Sequence, residues 1–86
     1  MIIQTEVLAP AIRAGRSALG WSQSELSEKS GISLPTIVRV EKSSNPKIST
    51  VQAIFSVLKE NGVDFVWKND GFEMTTKFIV LNLTIP

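Results

Sequence analysis

The 86-residue chain contains no cysteine and no histidine. Disulfides, thiolate nucleophiles, Cys/His zinc sites and imidazole acid–base catalysis are therefore excluded. Its five glycines are scattered, so no glycine-rich loop can cradle a phosphate. An enzyme built from the remaining residues would need paired carboxylates, or a lysine beside an activated serine. Glu25 and Glu28 lie three apart, but a helix cap and a solvated helix face account for them. No enzymatic activity, no metal and no cofactor is expected. No apolar run approaches the roughly 20 residues that cross a bilayer. The opening MIIQTEV has no basic segment of the kind that starts a signal peptide. A cytoplasmic protein without membrane contact is expected.

Excess charge is also scarce, with a formal net charge of only +1. Its placement is more informative than its size. Between positions 7 and 50, Arg13, Arg16, Lys29, Arg39, Lys42 and Lys47 outnumber Glu25, Glu28 and Glu41 by three. Between 51 and 86 the balance is negative by one. The basic surplus thus sits in the first half, as contact with phosphates would require.

An apolar fraction of 43% suits one small globular domain. A first helix is predicted over Pro10–Leu19, with proline at its first position and Gly20 as a left-handed stop. Met1–Val7 then reads as an extended arm; a helix capped by Thr5 is the alternative, and would put Pro10 in its interior. Ser22-x-x-Glu25 is a capping box, and Trp21 with Leu26 fits a hydrophobic staple across it. The second helix runs to a stop at Gly31. A third starts at Ser33, whose hydroxyl is expected to cap the N–H of Thr36 because Pro35 has none. The two helices are placed at 22–30 and 34–42. After the polar loop SSNPKI, Ser49-x-x-Gln52 reads as another capping box, with Ile48 and Ala53 as its staple. Val51, Ile54, Phe55 and Leu58 form the buried stripe of a fourth helix ending at Asn61-Gly62. From Val63 the period becomes two. Val63, Phe65 and Trp67, the turn Lys68–Gly71, then Phe72, Met74 and Thr76 read as a β-hairpin. Phe78–Leu81 is apolar on both strand faces, and so needs cover or an edge partner. The division is therefore a helical unit over 1–62 and a strand tail over 63–86.

Two capped helices with a glycine between them describe a helix-turn-helix, which can lay one helix in the DNA major groove while the other spans the backbone. The segment WSQSELSEKSGISLPTIVRVE, positions 21–41, resembles the helix-turn-helix of the Xre/lambda-repressor-like (Cro-type) regulators. The resemblance covers roughly Ile12 to Val63. It rests on Gln23, Leu26, Gly31, the Ser33-x-x-Thr36-Ile37 start of the third helix, and Glu41. It implies a mainly α fold: a compact four-helix domain, here followed by a C-terminal β-hairpin or strand segment. It also implies double-stranded DNA as partner. Gln23 would bind a phosphate, Ser33, Leu34, Pro35 and Thr36 would face base edges, and Arg39 would face the groove one turn on. Arg16 and Glu41 match the pair that ties the first helix to the end of the third. Relatives often carry polar residues where this chain has Leu34 and Pro35. Apolar contact with a thymine methyl takes the place of amide readout of adenine.

Lys42, Ser43, Asn45 and Lys47 follow the third helix and are candidates for backbone contact. Arg13 reads as a solvated helix residue, and Trp21 and Trp67 as packing residues. The expected function is a sequence-specific bacterial or phage transcriptional regulator, foremost a repressor, bound as a homodimer to a palindromic operator near the nucleoid. The alternative is an antitoxin that grips a toxin through its C-terminal segment and represses its own operon. Activation is a third option that no residue separates from repression. The dimer or partner contact is assigned to Phe65, Trp67, Phe72, Phe78, Val80 and Leu81.

Overall fold

The computed structural model describes residues 5–77. A short 3-10 turn, Thr5–Val7, leads into α1, Leu8–Ala18. Then come α2, Gln23–Ser30; α3, Leu34–Val40; α4, Ile48–Glu60; and a hairpin of β1, Val63–Lys68, and β2, Gly71–Thr76. The fold is mainly helical with a two-stranded antiparallel sheet, as the sequence predicts.

The local starts differ from expectation in three places. Thr5–Val7 is not extended, and α1 begins at Leu8, so Pro10 is its third residue. It still lies within the first turn, where backbone N–H groups have no partner inside the helix and a missing one costs no bond. The Ser33 hydroxyl makes no capping bond to a backbone N–H; it donates to the Thr36 hydroxyl at 2.9 Å. Helix α4 begins at Ile48 with Lys47 as its cap residue, so Ser49 is already helical and cannot serve as one. The buried Pro46 anchors the chain just upstream. Ile48 is then the first helical residue and not the one before the cap, which is where a staple requires it, and it is 51% exposed.

Other punctuation is local and strong. Ser22 accepts from the Glu25 N–H at 3.0 Å while the Glu25 carboxylate accepts from the Ser22 N–H at 2.8 Å. After α1, the Gly20 N–H reaches the Ser17 carbonyl and the Trp21 N–H reaches the Arg16 carbonyl. These are the two bonds of a Schellman stop, with Gly20 at φ 70°. Gly31 ends α2 in the same left-handed region.

One core serves helices and hairpin together. Ile12, Leu26, Ile37, Ile54, Leu58 and Val63 are essentially solvent-free. In the hairpin Val63 pairs with Thr76, Phe65 with Met74 and Trp67 with Phe72. Alternation turns Phe65, Trp67 and Met74 onto the helical core and leaves Asp64, Val66 and Lys68 outside. Gly15 permits the close approach of α1: a Cβ there would lie 2.8 Å from a Leu58 methyl and 3.1 Å from the Phe65 ring. Phe55 meets the rings of Phe65 and Trp67 edge-on at 5.1 and 5.4 Å.

Candidate nucleic-acid interface

Helices α2 and α3 are short and amphipathic only in a minimal sense. Each turns few residues inward: Leu26 from α2, Ile37 and Val40 from α3. The rest of α3 faces out. Ser33, Leu34, Pro35 and Arg39 are exposed, and Thr36 is half-buried. The leading edge of α3 thus presents Leu34, 39% exposed, and Pro35 to solvent beside Arg39.

Downstream, a cleft of about 380 Å³ lies between α3, the following loop and the start of α4. Among its lining residues are Thr36, Arg39, Ser43, Asn45 and Lys47, five of the predicted contact residues. The Ser43 hydroxyl accepts from the Asn45 N–H at 3.0 Å and shapes the loop. Lys42 is exposed but does not line the cleft; it sits in the turn after α3, which ends at Val40 and not at 42. Thr50 also lines the cleft and has no counterpart in the sequence reading. Its position three residues after Lys47 on the first turn of α4 places it there.

Orientation of these helices rests on Glu41, whose side chain is 3% exposed. The Arg16 guanidinium grips its carboxylate with two bonds, at 2.8 and 3.0 Å. A third N–H of Arg16 donates to the Trp21 carbonyl at 3.0 Å, just before α2. Arg13 donates to the Glu41 backbone carbonyl. Arg13 is thus a tether between α1 and the end of α3, which sequence reasoning missed. Its target is a main-chain oxygen, for which no residue pattern exists. Gln23 also joins this junction, its amide donating to Glu41 at 3.1 Å. A side-chain amide has two N–H donors, and one of them is spent on Glu41. Glu41, the one acid between Ser33 and Thr50, is thereby paired inside the protein, and Arg39, Lys42 and Lys47 face outward without opposition from it.

Of the predicted partner-contact residues, Phe65, Trp67 and Phe72 are half-buried in an aromatic cluster, with Phe72 edge-on to both others at 5.6 and 6.1 Å. Phe78, Val80 and Leu81 lie outside the described residues. Trp21 is half-buried against the core, with the Lys29 ammonium 5.8 Å from its ring centre. Among the described residues no His/Cys/Asp/Glu cluster could hold a metal ion, and no helix is long and apolar enough to cross a membrane.

A capped α2, a glycine turn and an outward-facing α3 define a helix-turn-helix DNA-binding domain. A family model described as "Helix-turn-helix" matches residues 12–65, more than half of the chain. The protein belongs to that family, the Xre/lambda-repressor-like helix-turn-helix proteins, and is a DNA-binding transcriptional regulator. No curated protein and no solved structure gives a match.

Proposed function

We propose that the protein binds a two-fold operator as a homodimer and represses transcription by occupying promoter DNA. The observation that carries this reading is the outward leading edge of α3, Leu34, Pro35 and Arg39, flanked by Lys47 and the neutralised Glu41 junction. Ser33, Leu34, Pro35 and Thr36 approach base edges, with Leu34 against a thymine methyl and Arg39 bidentate on guanine. Gln23 uses its second amide N–H on a phosphate; Lys42, Ser43, Asn45 and Lys47 hold the backbone further along. Half-sites would be spaced by about one helical turn, roughly 34 Å. The partner contact is assigned to the hairpin aromatics Phe65, Trp67 and Phe72 together with Phe78, Val80 and Leu81.

Counterion release makes such binding fall steeply with salt. Gel-shift titration from low to moderate salt tests it: affinity should drop by orders of magnitude, and an affinity that stays flat would contradict phosphate contact. A second reading keeps the DNA face and gives the hairpin surface to a toxin. It is favoured by the incomplete burial of Trp67 and Phe72, and stable co-purification of a second protein at fixed stoichiometry would support it.

A further inference from the structure

The first turn of α4 has two working faces. Lys47 and Thr50 line the cleft beside Arg39. On the other side an apolar groove of about 240 Å³ runs between Leu8, Ile48, Val51, Phe55 and Trp67. Ile48 is the most exposed of the large apolar side chains among the described residues, at 51%. Unlike Leu34 it does not point along the DNA-reading edge of α3, and it contributes little to the core.

Beyond Phe55 and Trp67, which line both hollows, the groove continues into a second of about 210 Å³ flanked by Lys59 and Asp64. These two charges are not paired with one another; the ion pair among the described residues is Arg16–Glu41. An apolar strip rimmed by one cation and one anion is self-complementary. A two-fold axis running along the strip exchanges its flanks, so that Lys59 of one copy faces Asp64 of the next, whereas a partner of single sign meets one match and one clash.

We infer that this groove seats a second copy of the same chain, with Ile48 and Phe55 at the centre of the contact. The inference rests on the homodimer reading above and moves the core of the interface from the tail to α4. Its position suits the task. A copy docked on the Ile48 face lies beside the Lys47–Thr50 face of the same helical turn. Simultaneous entry into successive major-groove segments demands that the two α3 edges share one side of such an assembly.

Ile48→Glu tests this in the full chain. The substitution places an acid in an exposed first turn, which the helix dipole favours, so folding is preserved and thermal unfolding serves as the control. Sedimentation equilibrium should show dimerisation weakened roughly tenfold or more, since a charge enters the buried centre of the contact. Lys59→Glu alone should also weaken it, and Lys59→Glu combined with Asp64→Lys should restore it. A folded Ile48→Glu protein that dimerises like wild type overturns the inference. So does a double charge reversal that fails to recover what the single one lost. If dimerisation is instead lost only on removing residues 78–86, the groove is not the seat of the second copy, while the homodimer reading survives. A wild-type chain that stays monomeric both free and on DNA removes the homodimer reading itself.

Discussion

The helix-turn-helix and the α4–hairpin half are held by different forces. Helices α2 and α3 bury only Leu26, Ile37 and Val40 between them, and polar bonds converging on Glu41 tie the start of α2 and the end of α3 to α1. Helix α4 and β1 are held by Ile54, Leu58 and Val63 and by aromatic rings in edge contact. In the proposed reading α3 presents one side to DNA, and a side so used cannot be buried as well. The helix compensates with directional contacts, which fix an angle at little cost in area. The apolar half supplies the stability on which that angle stands.

Substitutions can separate the two contributions. Leu58→Ala should have the largest effect, a loss of about 4 kcal/mol read by denaturant unfolding, because the side chain is fully enclosed. Its folded fraction should bind DNA as tightly as wild type. Glu41→Ala should cost about 3 kcal/mol by stranding Arg16, lowering the melting temperature by roughly 15 °C. Here affinity per folded molecule should fall too, because α3 loses its tethers. Equal loss of affinity in both variants would erase the distinction between the halves.

Arg39→Ala should leave the melting temperature unchanged and cost about 2 kcal/mol of discrimination at one base step, measured by competition between operator variants. The smallest effects contrast the two serines. Ser22→Ala should destabilise by about 1 kcal/mol, as its capping box closes fully. Ser33→Ala should stay within about 0.5 kcal/mol, the range of an ordinary surface change, since its hydroxyl caps no backbone N–H.

Legibility in the sequence followed the range of each interaction. The Ser22 box, the glycine stops and the hairpin alternation are set by neighbours a few residues apart, and the chain spells them out. The Ser49 motif looked equally good on paper. It lost to a start at Ile48, one residue earlier, behind the buried Pro46, whose burial is a property of the packed loop and not of the local spacing. Arg16 and Glu41 lie 25 positions apart, and only the resemblance to a family connected them. Arg13 and Thr50 were invisible for the same reason: each acts at a place that exists only once α1, α3 and α4 are assembled. The groove at Ile48 was hidden by a local rule, the staple, that the shifted start of α4 annuls.

Parallel selection of bound sequences from random DNA, with wild-type protein and with Arg39→Ala, addresses the reading role of α3 most directly. Wild type should enrich a two-fold motif, and Arg39→Ala should keep that motif while losing preference at one symmetric pair of positions. Identical motifs from the two proteins, or no enrichment by wild type, would show that this helix does not read the sequence.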